Sequence, residues 1–250
     1  MRRLGALLLV SAILLPAGCD GGEGEPKFIV SAASSLKRPF SDYGEGFEGA
    51  EPRFSFAGSD ELAAQIRRGA RPDVFAAANT TLPAGLFREG LVERPIVFAA
   101  NRLVIAVPAG SKEVGSIDDL ERPGIDLAIG APSVPVGAYT RDVISRLGAG
   151  ERDAILANVR SNEPDVASVV AKLTQGAADA GFVYVTDVAA TKGELRAVEL
   201  PDSLRPRVAY AAAVVRDTEH PGEARRFVDG LLIGEGSRAL ERAGFEPPPR

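Results

Sequence analysis

The chain has 250 residues, of which 45% are apolar and 25% charged, with a net charge of −5. That length allows one large domain or two modest ones with a sizeable core. Lys and Arg are scattered through an acidic chain with no aromatic-rich basic patch, which argues against a nucleic-acid partner.

The start is unlike the rest. Arg2 and Arg3 precede an apolar run from Leu4 to Leu15, then small residues lead to Cys19. This reads as a secretory signal, and the apolar run is short for a bilayer span. A lone Cys after such a segment resembles a bacterial lipoprotein signal, which implies lipidation of Cys19 and attachment to the membrane through that lipid alone. Pro16 stands three before the Cys, where that signal usually has Leu. The stretch "DGGEGEP" (Asp20–Pro26) reads as a flexible tether. Cys19 is the only cysteine, so the chain beyond it has no disulfide or thiolate chemistry.

From Lys27 short apolar runs alternate with helical ones. The expected elements are, in order, a strand at "KFIVSA", a helix Leu36–Phe47, a strand at "PRFSFA", a helix Asp60–Arg68, and strands at "DVFAAA", "RLVIAVP" and "DLAIG". A helix Val136–Leu147, a helix Val166–Leu173, strands at "AGFVYV" and "RVAYAAAVV", and helices Gly222–Leu232 and Glu235–Arg242 complete the pattern. Strand–helix alternation implies βαβ units around parallel strands, with ligand sites beyond the strand carboxyl ends. "NRLVIAVP" and "RPRVAYAAAVV" are long and about a hundred residues apart, as two hinge crossings would be. The expected organisation is residues 1–19 signal, 20–26 tether, 27–101 plus 207–250 one lobe, and 102–206 the other. The fold class is α/β, two lobes each with a mixed sheet flanked by helices. The tail "EPPPR" is expected to fray.

Catalytic chemistry is sparse. His220, the one histidine, stands in "DTEHPG" and reads as a surface turn. With no His/Cys cluster a zinc site is not expected. "GEGSRA" (Gly234–Ala239) mimics a dinucleotide motif but follows a helix, not a strand. Most carboxylates read as solvated faces or caps, with Asp118 and Asp119 opening a short helix and Asp165 in a first turn.

What the chain does hold is a set of helix starts. They follow "SAASS", "FAGS", "APSVPVG" (Ala131–Gly137) and "NEPDV" (Asn162–Val166), where Pro164 suits a first turn. Each leaves backbone N–H groups unsatisfied at a partly positive end, and such ends bind anions without Lys or Arg. Ser35 and Ser59 would add hydroxyls and Tyr184 a phenol. Taken singly, such a serine is usually only a cap. Together the residues describe a two-lobed exported protein with an anion-binding cleft.

The succession "SAASSL", "FAGSDELAAQIRRGARPDVFAAAN", "LVIAVP", "LAIGAPSVPVGAYTRDVISRLGA", "EPDVASVVAKLTQGAADAGFVYVTDV" and "RAGF" resembles the periplasmic molybdate-binding proteins of ABC importers, over the whole chain beyond the signal. That family has a two-lobed solute-binding fold with hinge strands. It holds its oxyanion by hydrogen bonds alone, from two serines, two backbone amides and a tyrosine. Carried over by motif, these are Ser35, Ser59, Val136, Val166 and Tyr184; they touch molybdate oxygens and do not ligate the metal directly. The resemblance implies a non-enzymatic protein, with no resident cofactor, acting as a monomer. It would capture molybdate or tungstate outside the cytoplasmic membrane and hand it to an ABC permease. Val136 stands where the family often has Ala, and Asp60 where many relatives have a small polar residue. Asp60 is expected in the first turn of its helix, facing solvent, where a carboxylate is favourable.

A fully deprotonated dianion needs donors only, whereas hydrogen phosphate carries a proton and needs an acceptor. The sequence leaves another oxyanion, sulfate or phosphate, as the alternative cargo. An esterase using Ser35 or Ser59 would need His220 as base and lacks Gly-x-Ser-x-Gly. A structural lipoprotein with a relic cleft is the remaining alternative.

Overall fold

The computed structural model describes residues 27–249; the signal segment, Cys19 and the tether lie outside them. The strands are β1 (Ile29–Ala33), β2 (Arg53–Ala57), β3 (Val74–Ala77), β4 (Ile96–Asn101), β5 (Leu103–Pro108), β6 (Leu127–Gly130), β7 (Val159–Glu163), β8 (Ala180–Tyr184), β9 (Leu195–Val198) and β10 (Val208–Val214). The helices are α1 (Lys37–Glu45), α2 (Ser59–Arg67), α3 (Thr81–Arg88), α4 (Pro135–Ser145), α5 (Ala149–Ala157), α6 (Val166–Thr174), α7 (Val185–Ala190), α8 (Pro221–Gly230) and α9 (Glu235–Arg242).

The strands form two five-stranded sheets, ordered β2-β1-β3-β10-β4 and β7-β6-β8-β5-β9. In the first, β2, β1 and β3 are parallel and β10 runs against β3 and β4. In the second, β7, β6 and β8 are parallel and β5 runs against β8 and β9. The two lobes therefore repeat one topology, in which the antiparallel strand arrives directly from the other lobe. The chain passes between sheets at Arg102, and again between Val198 and Val208.

Strand burial explains this order. β3, β6 and β8 are buried at every position, as strands covered on both faces must be. Helices α2 and α3 cover one side of the first sheet around Leu62, Ile66, Phe75 and Leu86. Phe28, Phe40, Tyr43 and Phe227 pack the other, with Tyr43 and Phe227 ring centroids 4.6 Å apart.

Several expectations need correction. β4, β7 and β9 and helices α3, α5 and α7 were not anticipated from the sequence. β7, "VRSNE", is a polar edge strand, so no apolar run marks it. β4 ends one residue before β5 begins, and the strand expected at "RLVIAVP" covers β5 alone. Pro164 and Asp165 precede α6 rather than forming its first turn: Asp165 is the N-cap and accepts the Ser168 N–H at 2.8 Å. In the tail, Glu246 exchanges backbone hydrogen bonds with Ala100 at 2.8 and 3.0 Å, so the chain is held that far.

Candidate functional site

The parallel strands of both sheets end at one place. The segments following β1, β2 and β3 in one lobe, and those following β6, β7 and β8 in the other, line a small cavity. The lobes meet around it. Gly58 lies so close to the Pro164 carbonyl that a Cβ there would sit 2.4 Å from its oxygen. The cavity is small, about 10 Å³.

All five residues singled out in the sequence line this cavity: Ser35, Ser59, Val136, Val166 and Tyr184. Neither serine is a helix cap. Ser35 lies within the 3₁₀ turn Ser34–Leu36 ahead of α1, and its Oγ is 3.0 Å from the Tyr210 hydroxyl. Ser59 is the first residue of α2, 1% exposed, and its Oγ accepts the Ala78 N–H at 3.1 Å. The bland reading of these serines as caps therefore does not hold.

Val136 and Val166 offer main-chain amides. α4 begins at Pro135, which has no N–H, so Val136 carries the first amide of that helix. Val166 begins α6. First-turn amides have no intrahelical acceptor and so face outward from the helix end. α4 sits directly on the end of β6 because Gly130 and Gly137 pack backbone to backbone. A Cβ on Gly137 would fall 2.0 Å from the Ala131 carbonyl oxygen. Arg141 braces this corner, donating to the Gly130 carbonyl at 2.7 Å and to Asn162 Oδ1 at 2.7 Å.

Tyr184 ends β8, is 1% exposed, and its hydroxyl has no hydrogen-bond partner. A buried phenol without a partner is costly, so its proton is available to a ligand in the cavity. Burial, reinforced by the nearby Tyr210, Tyr139 and Asp187, holds its pKa well above that of an ordinary tyrosine, so it remains a donor.

Two carboxylates border the site. Asp165 lines the cavity, with one oxygen committed to the Ser168 N–H. Asp187 accepts the Tyr184 N–H at 3.0 Å and so fixes the strand end that carries the phenol. As a residue it is half-buried, facing a groove between the lobes, but surrounding protein starves its carboxyl of water. That desolvation pushes its pKa up to about 7, assisted by Asp165 and opposed by the Tyr184 amide. Asp60 does not line the cavity. It is not simply solvent-facing either, because its Oδ1 is buried without a hydrogen-bond partner, near the Gly58–Pro164 contact.

His220 is more than a surface turn. It is the N-cap residue of α8, and its Nδ1 lies 3.1 Å from Oδ1 of the buried Asp73, which also accepts the Ile29 N–H and the Thr218 hydroxyl. It borders surface depressions that share no residue with the five-donor cavity. Among the described residues no helix is long and apolar enough to cross a membrane, and no His/Cys/Asp/Glu group could hold a metal ion.

Tyr210 and Asn101, which stand behind Ser35, went unnoticed in the sequence. Both lie in the neighbouring strands β10 and β4, where their side chains read as core, and neither lines the cavity itself.

Two lobes of matching topology that close on a small donor-lined cavity at their strand ends define a solute-binding protein. Comparison with known proteins agrees. The family model for bacterial extracellular solute-binding proteins matches residues 28–246, and the chain belongs to that family. It is 37% identical to the molybdate-binding protein ModA of Mycobacterium tuberculosis H37Rv over 258 aligned residues, covering 96% of this chain and 97% of that protein. The periplasmic molybdate-binding protein of Azotobacter vinelandii has the same fold, with a TM-score of 0.79 at 20% identity, covering 89% of this chain and 100% of that one. A Clostridium difficile structure, assigned as the substrate-binding domain of a molybdenum ABC transporter, superposes with a TM-score of 0.67 at 26% identity, covering 89% and 99%.

Proposed function

We propose that this protein captures molybdate, with tungstate as its close analogue, outside the cytoplasmic membrane and delivers it to an ABC permease. It acts by closing its two lobes on the oxyanion, as a monomer, without catalysis and without a resident cofactor. Lipidation at Cys19 would tether it to the membrane. The observation that carries this reading is the convergence of two hydroxyls, one phenol and two first-turn amides on a single interlobe cavity. The names of the relatives support molybdate as cargo.

The energetics suit such a ligand. Hydrogen bonds to a charged group contribute roughly 1.5–3 kcal/mol each, so five give about 8–15 kcal/mol before ordering and closure costs. Micromolar to nanomolar binding needs about 8–12 kcal/mol. Closure also removes water, which strengthens every donor. An esterase is disfavoured by the separation of His220 from Ser35 and Ser59.

Thermal unfolding of the chain from Lys27, with molybdate, tungstate, sulfate or phosphate in separate samples, tests the reading. Ligand at a hundred times its dissociation constant should stabilise by about 2.7 kcal/mol, a shift of several degrees. A shift with sulfate or phosphate alone would replace the cargo. No shift with any of the four would reduce the helix starts to structural features.

A further inference from the structure

The hydroxyl of Ser35 lies 3.0 Å from that of Tyr210, and at that distance either could donate. Asn101 gives no help, because its nitrogen donates to Thr186 Oγ1 at 2.8 Å and its Oδ1 accepts the Arg102 N–H at 2.9 Å. The ligand decides instead: an oxyanion offers only lone pairs, so Ser35 must give it its single proton, and Tyr210 is then the donor between the two hydroxyls. Tyr184 does not compete for the Tyr210 proton: the two rings are 5.8 Å apart, and the Tyr184 hydroxyl makes no hydrogen bond. With an acceptor position filled by Tyr210, the single Ser35 proton is left for the cavity.

Ser59 likewise already accepts one hydrogen bond, from the Ala78 N–H. The one carboxylate among the lining residues, Asp165, gives one oxygen to the Ser168 N–H as the cap of α6.

We propose that Tyr210 is a positioning residue that fixes the Ser35 proton toward the oxyanion. This rests on the oxyanion-binding reading given above. Tyr210 lies on β10, the strand that re-enters the first lobe, and Asn101 ends β4 where the chain leaves that lobe. The Tyr210–Ser35 hydrogen bond thus ties the orientation of one ligand contact to the strand by which the chain re-enters that lobe.

The test is calorimetric titration of the wild type, Ser35→Ala, Tyr210→Phe and the double variant with molybdate at mildly alkaline pH. Tyr210→Phe keeps the ring that packs against Phe98 and Phe245, so the fold should survive. It should weaken molybdate binding about 2- to 12-fold, as loss of a neutral hydrogen bond would. The double variant should bind molybdate as Ser35→Ala does, because Tyr210 acts through that hydroxyl. Losses that multiply in the double variant, or an unchanged molybdate affinity in Tyr210→Phe, would overturn the proposal while leaving the binding function intact. A wild type that binds no oxyanion would remove the function itself, and the proposal with it.

Discussion

Ser59→Ala separates the two duties of one hydroxyl. Ser59 is 1% exposed, lines the cavity, and accepts the Ala78 N–H at 3.1 Å. Removing Oγ deletes a donor to the oxyanion, at about 1.5–3 kcal/mol for a charged hydrogen bond, or roughly 10- to 150-fold in affinity. It also leaves the Ala78 amide buried without an acceptor, which costs about 1–3 kcal/mol in the unliganded protein. In a chain of this size that lowers the unfolding midpoint by about 2–12 °C. Ser35→Ala is the contrast. Its partner is a side-chain hydroxyl, so no backbone group is orphaned, and affinity should fall with a smaller change in midpoint. Isothermal titration with molybdate and a thermal scan without ligand read the two effects separately. If Ser59→Ala lowers the midpoint yet binds molybdate as tightly as the wild type, Ser59 serves only the fold and the assignment of its proton to the ligand is wrong.

Gly58 has φ −59°, which any residue can adopt, so Gly58→Ala carries no backbone strain. Its Cβ would nevertheless lie 2.4 Å from the Pro164 oxygen in the other lobe. The variant should keep its unliganded midpoint, lose at least about tenfold in molybdate affinity, and fail to compact on ligand addition in solution scattering; normal compaction would show that the lobes do not close through this contact. Val136→Ala keeps the amide and should leave affinity within about threefold, while loss of two buried methyl-sized groups costs about 1–3 kcal/mol of stability. A collapse of affinity there would assign binding to the side chain. Asp187 has its pKa raised from 3.8 to about 7. The folded chain therefore holds a proton that the unfolded chain has released between those values. This stabilising contribution is complete below 3.8 and is lost as pH rises to about 7. Asp187→Asn, which can still accept the Tyr184 N–H, should flatten that part of the midpoint-against-pH curve; an unchanged curve would place the carboxyl in water.

The sequence by itself determined the elements that carry strong local signals. Apolar runs such as "DVFAAA" and "LAIG" mark central strands because a strand buried on both faces has no room for polar alternation. The five donors were legible because each sits at a strand end or helix start, and motif resemblance selected them from many similar serines. Other features had no local signature. β7 is polar because it lies at a sheet edge, and β4, also an edge strand, was not read as a strand at all. The matching topology of the two lobes leaves no repeat in the sequence, since it is a property of strand order and not of residue type. Only the tertiary structure brought Asp73 to His220, Tyr210 to Ser35 and Ala78 to Ser59, pairs separated by 147, 175 and 19 residues. Those contacts set which hydroxyl donates and which accepts. Proton direction in a buried site depends on every neighbouring lone pair and N–H, and these are assembled by sheet register and lobe closure across the whole chain.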